Sequence, residues 1–127
     1  MMTKEDLKKM EGNLRKIATY CRENYVPQLE EGDSLSVAFG EIKSRWGSFG
    51  PTAPEPKYSF GFGWRGNVWF RTGNLIQVFA DDSPTSIYNS PVYSKDLLLE
   101  WQAVKSLIVA ELAKRAAEKE ILDEFEV

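Results

Sequence analysis

Residues 57–82, KYSFGFGWRGNVWFRTGNLIQVFADD, decide the fold of this chain. They contain two Gly-Asn pairs, Gly66-Asn67 and Gly73-Asn74, and each pair lies between runs of aromatic and β-branched residues. Such runs favour β-strands, and a two-residue loop that begins with glycine suits the mirror-image turns that join antiparallel strands. The stretch therefore predicts a three-stranded meander over residues 58–65, 68–72 and 75–80.

Two-residue turns would also fix how these strands pair. The first turn places Trp64 opposite Trp69, and the second places Arg71 opposite Ile76. Because successive side chains point to opposite faces of a sheet, one face is expected to carry Tyr58, Phe60, Phe62, Trp64, Trp69, Arg71, Ile76 and Val78. The other face is expected to carry Ser59, Gly61, Gly63, Arg65, Val68, Phe70, Thr72, Leu75, Gln77 and Phe79. We therefore expect both faces to be apolar, unlike those of a half-exposed antiparallel sheet.

Gly61 and Gly63 would leave a shallow trough on the second of these faces. Glycine within a strand admits another group close to the backbone. Three occupants fit such a trough: a helix of the same chain, a ligand or a second subunit. The sequence alone leaves these alternatives open.

The segment GFGWRGNV, residues 61–68, also matches the glycine-rich pattern G-x-G-x-x-G-x-V of nucleotide-binding loops. A dinucleotide-binding loop needs a helix after its glycines, but residues 67–71 are few and β-prone. The protein-kinase loop does lie between two strands, yet the chain lacks the V-A-I-K, H-R-D and D-F-G motifs of a kinase. We therefore interpret these glycines as parts of a hairpin.

A helix is predicted on each side of the meander in the sequence. The first covers residues 3–26, with Thr3 as its cap and Pro27 at its end. Its apolar stripe comprises Leu7, Met10, Leu14, Ile17, Ala18, Cys21 and Tyr25, so Cys21 is interpreted as a small core residue. The second covers residues 95–125 with Ser94 as its cap, and its main stripe comprises Leu97, Trp101, Val104, Ile108 and Leu112.

The remaining segments complete an α+β domain. Residues 34–43 alternate as a strand and bring the sheet to four strands, while residues 44–56 and 81–93 are assigned to loops. At 127 residues the chain is one domain. We expect an N-terminal helix over 3–26, a four-stranded, mainly antiparallel sheet over 34–80 and a long C-terminal helix over 95–125, with both helices on one face.

The second helix is longer than the domain it packs on. A helix over residues 95–125 is about 46 Å long, whereas a compact domain of this size is about 35 Å across. Its last turns should therefore extend beyond the core. They carry Ile121, Leu122 and Phe125, and we predict that these residues contact a second subunit or another protein.

Composition narrows the class of protein and of partner. The net charge is −3, and residues 95–127 carry five basic and eight acidic side chains, so the whole excess lies in the second helix. That balance argues against a duplex-DNA binder. No apolar run approaches the ~20 residues of a membrane span, and the single cysteine excludes an intrachain disulfide. We therefore expect a cytoplasmic protein with no membrane partner.

The chain contains no histidine. Its absence removes the usual general base and the commonest metal ligand. No second carboxylate stands at a spacing that indicates an acid/base pair, and Asp81-Asp82 is interpreted as a turn rather than a cation site. We expect a protein that is not an enzyme and that has no cofactor and no metal.

Aromatic and basic side chains form the clusters that could carry recognition. A ring beside a guanidinium suits a planar base and a phosphate at once. We therefore expect a small nucleotide-like ligand to be bound by Arg45, Trp46, Trp64, Arg65, Trp69 and Arg71.

An alternative function is left open by the same sequence. The two-sided sheet and the overhanging helix would also suit a protein–protein interaction or inhibitor module that self-associates as a homodimer. Small accessory proteins of mobile genetic elements, which sequester a messenger or block an enzyme, share this size and lack of catalytic residues. That comparison is an analogy of size and composition.

Overall fold

The computed structural model describes residues 3–40, 46–47, 50–51, 58–81, 84–88 and 96–125. Helix α1 (Lys4–Asn24) comes first and helix α2 (Leu97–Phe125) last, with all the described strands between them. The strands are β1 (Ser34–Phe39), β2 (Trp46–Gly47), β3 (Gly50–Pro51), β4 (Tyr58–Gly63), β5 (Val68–Arg71), β6 (Asn74–Val78) and β7 (Pro84–Tyr88). The predicted α+β arrangement is confirmed.

The predicted four-stranded antiparallel sheet is confirmed, and a fifth strand extends it. The strand order is β1-β4-β5-β6-β7, and every neighbouring pair is antiparallel. The fifth strand, β7, lies in the segment 81–93, for which the sequence predicts a loop. It begins with Pro84 at the edge of the described sheet, where a residue without an N–H is tolerated. The predicted loop 44–56 likewise contains the short antiparallel pair of β2 and β3.

The turn between β4 and β5 differs from the predicted two-residue loop. Gly66 N–H donates to Gly63 O at 2.9 Å, and Gly63 N–H donates to Asn67 O at 2.9 Å. These bonds close a three-residue loop, Trp64-Arg65-Gly66, in which Gly66 has a φ of 92°. A three-residue hairpin loop with its last residue in the left-handed region is a common alternative that requires glycine there.

The longer loop changes the pairing of β4 with β5, so the predicted pairing of Trp64 with Trp69 is wrong. Trp69 instead lies opposite Gly61. The second turn also differs, because the chain reverses at Gly73, with a φ of 104°, and Arg71 pairs with Leu75 rather than Ile76. The observed pairs in the first hairpin are Ser59–Arg71, Phe60–Phe70, Gly61–Trp69 and Phe62–Val68.

The corrected register gives the sheet two unlike faces, so the prediction that both are apolar is wrong. The inner face is buried and carries Leu35, Val37, Phe39, Tyr58, Phe60, Phe62, Val68, Phe70, Ile76 and Val78. The outer face is mixed, and its residues from β1, β4, β5 and β6 are Ser34, Ser36, Ala38, Ser59, Gly61, Gly63, Trp69, Arg71, Leu75 and Gln77. Both helices pack against the inner face, α1 mainly over β5 and β6 and α2 over β1.

The helix starts are held by side-chain caps. The predicted cap Thr3 forms a capping box, since Asp6 N–H donates to its Oγ1 at 3.1 Å and Thr3 N–H donates to Asp6 Oδ2 at 3.0 Å. At α2 the predicted cap, Ser94, lies outside the described residues. At the described start of α2, Asp96 Oδ1 accepts a hydrogen bond from the backbone N–H of Leu98 at 2.9 Å. The side-chain amide of the buried Asn13 donates to the same oxygen at 3.3 Å. Neither described helix combines the length and apolar character needed to cross a membrane.

Cys21 lies in the core, as its place on the apolar stripe of α1 predicts, and it is fully buried. Burial raises the pKa of its thiol to about 12. We expect Ellman's reagent to leave the native protein unlabelled at pH 8 and to label it once urea unfolds the chain, because only the thiolate reacts. Stoichiometric labelling of the native protein on mixing would contradict this burial.

The same pKa shift has a defined effect on stability. Because the folded pKa lies above the ordinary value near 9, the contribution of Cys21 is fully present below pH 9 and is lost as the pH rises towards 12. Burial also raises the pKa of Tyr25, in the same direction. The urea midpoint should therefore fall between pH 9 and pH 11.

Candidate functional site

The outer face of the sheet is the surface on which two predicted site residues, Trp69 and Arg71, lie together. Both belong to β5, the third strand of five in the sheet order. They are two residues apart, so their side chains project from the same face. Trp69 is half-buried and Arg71 is exposed. Among the described residues no helix covers this face, because α1 and α2 both pack on the other.

The indole of Trp69 lies against the backbone of Gly61 on the neighbouring strand. A Cβ on Gly61 would be 2.5 Å from Cε2 and 2.7 Å from Nε1 of that ring, which is far inside contact distance. The trough that the sequence predicts above Gly61 is therefore filled by a side chain of the sheet itself. This side chain takes the place of the three predicted occupants, a helix, a ligand or a second subunit.

Gly63, on the same strand and face, is different. Among the described residues, a Cβ placed on Gly63 would meet no atom within 4 Å. The chain is consequently open to approach at Gly63, next to the indole-covered Gly61 and directly before the hairpin loop. Only part of the predicted trough is thus available to another molecule.

The loop after Gly63 carries a second pair of ring and guanidinium. The Cζ atom of Arg65 lies 5.1 Å from the centre of the Trp64 ring, within the range of a cation–π contact. Trp64 is half-buried. Its backbone N–H, not its indole N–H, donates to the backbone oxygen of Asp33 at 2.9 Å, and this bond ties the loop to the start of β1. Arg65 is exposed and keeps hydrogen-bonding capacity towards solvent.

The structure therefore brings the predicted site residues together in two pairs rather than in one cluster. Trp69 and Arg71 lie on the outer face, and Trp64 and Arg65 lie in the loop at the end of the same hairpin. Trp46 belongs to β2, but its side chain is outside the described part of the structure, and Arg45 lies outside it altogether.

The predicted partner residues lie at the end of α2. Leu112 is the last buried residue of this helix, and every described residue after Arg115 is exposed. Ile121, Leu122 and Phe125 are 56%, 64% and 80% exposed. Just before this exposed end, Arg115 forms an ion pair with Glu111 one turn earlier, with Nε and Oε1 3.1 Å apart.

A cleft of about 500 Å³ lies between the end of α2 and the turn before β1, and no pattern in the sequence indicates it. Two contacts cross the cleft. Lys119 Nζ lies 3.3 Å from Glu30 Oε1, and Arg115 donates from Nη1 to Ser34 O at 3.0 Å. These contacts hold the first overhanging turn of α2 against the domain.

The structure also contains an aromatic group between the two helices that the sequence did not predict. The ring of Tyr20 in α1 makes edge contacts with Tyr25 and with Trp101 of α2, at centroid distances of 5.6 and 5.9 Å. Lys105 Nζ lies 4.9 Å from the Tyr20 ring centre, and its interaction with Tyr20 lowers the pKa of that phenol. Only the tertiary contact of α1 with α2 assembles these residues, so no local pattern could have indicated them.

The described residues contain no group of three or more acidic or cysteine side chains placed to hold a metal ion. No protein family, curated protein or solved structure compared with this chain matches it. Function is therefore inferred from the side chains and their geometry.

Proposed function

We propose that this protein is a non-enzymatic binding protein that holds a planar, anionic, nucleotide-like ligand on the outer face of its sheet. One observation carries the proposal: the Trp69 indole is seated against Gly61, and Arg71 follows two residues later on the same open face. The ring offers a surface for stacking, and the guanidinium offers paired donors for a phosphate.

The spacing of these two groups suits such a ligand. Residues i and i+2 of a strand are about 7 Å apart, which is comparable with the separation of base and phosphate in a mononucleotide. Gln77 lies directly opposite Trp69 on β6. Its amide supplies a donor and an acceptor for the edge of a stacked base.

The loop pair extends this surface. Trp64 and Arg65 repeat the combination of ring and guanidinium at the end of the hairpin, and the open position at Gly63 lies between them and Gly61 in the chain. Arg45 and Trp46 remain in the proposed site on sequence grounds alone.

The first test is a thermal melt in the presence of nucleoside monophosphates, diphosphates and cyclic nucleotides. A ligand at 100 times its dissociation constant stabilises the folded state by about 2.7 kcal/mol, so the melting temperature should rise by several degrees for at least one member of the panel. Arg71→Ala should abolish that rise while the unliganded protein melts normally, because Arg71 is exposed.

Gly61→Ala and Gly63→Ala form a matched pair for the same test. The methyl group introduced at position 61 would force the Trp69 indole off the sheet, whereas the methyl group introduced at position 63 would meet nothing. We expect the first change to lower ligand affinity at least tenfold and to alter the near-UV circular dichroism. The second should leave both measurements close to those of the wild type. A panel without any thermal shift, or equal affinity in both variants, would argue against the proposed site.

A second candidate function, binding of a protein through α2, is favoured by a separate observation. Within the described chain, the exposed large apolar side chains all belong to this helix: Leu98, Leu99, Leu107, Val109, Ile121, Leu122 and Phe125. Isolated exposed apolar residues are ordinary, but their concentration on one helix is typical of an interaction surface. Ile121, Leu122 and Phe125 remain the predicted contact residues for a second copy or for another protein.

A further inference from the structure

The side of α2 that faces away from the core has a regular pattern. Ala103, Ala110 and Ala117 are seven residues apart and all exposed. Leu99 and Ile121, 81% and 56% exposed, lie eleven residues to either side of Ala110. At 3.6 residues per turn all five lie within about 20° of Ala110 around the helix axis. They form one straight row, which we call the alanine row.

This row is symmetric about Ala110. A small residue stands seven positions away in each direction, and a large apolar residue stands eleven positions away in each direction. We infer that α2 pairs with α2 of a second copy of this chain in antiparallel orientation, about a two-fold axis at Ala110. Leu99 then packs against the partner's Ile121, and the alanines allow the two backbones to approach closely in between.

The distribution of charge favours the antiparallel orientation. Near its end α2 carries Glu118, Glu120, Asp123 and Glu124 against Lys119. A parallel pair would bring these acidic ends together. An antiparallel pair instead places them beside residues 95–105 of the partner, where two basic and two acidic side chains cancel, although Glu120 then lies opposite the partner's Glu100.

The same symmetry favours a second copy over an unrelated partner. A two-fold interface uses one patch on both subunits, so each position must be complementary to its own mirror position. The alanine row meets that condition, whereas an unrelated helix would impose no relation between Leu99 and Ile121. Stable interfaces bury about 1,200 Å² or more in total, and one helix pair of this length lies near that lower limit. We therefore expect dimerisation to depend on protein concentration.

This inference rests on the second candidate function and is independent of the ligand site. Sedimentation velocity over a wide concentration range should show the mass rising from 14.5 kDa towards twice that value. Ala110→Glu, which sets two like charges face to face across the axis, should hold the protein at 14.5 kDa throughout. Ala116→Glu is the matched control, since it changes an exposed alanine about 120° away around the axis, and it should dimerise like the wild type.

Single cysteines test the register. Under mild oxidation Ala110→Cys should form a covalent dimer, because a residue on the axis meets its own copy, whereas Ala103→Cys alone should not. Cys21 is buried and stays out of the reaction. If the wild type is monomeric at every concentration, the inference is overturned. If the Ala103→Cys variant alone forms a covalent dimer, the antiparallel register is overturned, but the chain still self-associates. If nucleotides raise the melting temperature of Ala110→Glu as they do that of the wild type, the ligand site is intact. Either outcome then concerns self-association alone.

Discussion

Val68→Asp is expected to unfold the protein. Val68 is fully buried on the inner face, opposite Phe62 on one side and Val78 on the other. An aspartate there would have to bury a charge or take up a proton without a hydrogen-bonding partner, and either is costly. We expect the free energy of unfolding to fall by more than about 4 kcal/mol, a large part of the about 5–15 kcal/mol that stabilises an ordinary domain.

Gln77→Asp is the matched control for this change. Gln77 lies on the outer face of the adjoining strand and is only half-buried, so the free energy of unfolding should change by less than about 1 kcal/mol. Far-UV circular dichroism and urea denaturation would measure both variants. A folded Val68→Asp protein would mean that Val68 lies away from the core, and would contradict the observed register.

The contrast between buried Val68 and half-buried Gln77 depends on the register of the sheet, which the sequence predicted only in part. The strands of the meander were predictable because their aromatic and β-branched runs are separated by glycine. Their register was not, because Gly66 fits two kinds of turn: it can begin a two-residue loop or end a three-residue loop. The choice is made partly outside the hairpin, by the bond from Trp64 N–H to Asp33 O.

Two further features were beyond local prediction for related reasons. The strand β7 begins with Pro84 and lies in a segment, residues 83–94, that is rich in serine and proline, which is typical of loops as well as of sheet edges. Within the candidate site, Trp69 and Arg71 could be selected by residue type alone. The seat of the indole on Gly61 depends on the register, so it could not be predicted before the turn was known.

Arg22→Ala should cause the second large loss of stability. Arg22 lies off the apolar stripe of α1, where charged side chains ordinarily face solvent. Its guanidinium instead donates from Nε to Gly66 O at 2.8 Å and from Nη2 to Phe79 O, so one side chain holds the helix to the first hairpin loop and to the chain just after β6. Bonds that involve a charged group contribute about 1.5–3 kcal/mol each, so two give at most about 3–6 kcal/mol. Because both bonds are only partly buried and water can replace the lost donors, we expect a total loss of about 2–4 kcal/mol.

Arg22→Lys and Arg15→Ala separate this role from a general effect of charge. Lysine keeps the charge but lacks the planar fork that reaches two acceptors at once, so its loss should be intermediate. Arg15 is exposed on the same helix, and its removal should cost less than about 0.5 kcal/mol. Urea denaturation would give all three values. Equal losses for Arg22→Ala and Arg15→Ala would contradict the bonds from Arg22 to Gly66 and Phe79. A much larger loss for Arg22→Ala would support them. Arg22 would then also anchor the loop that carries Trp64 and Arg65, which is part of the proposed ligand site.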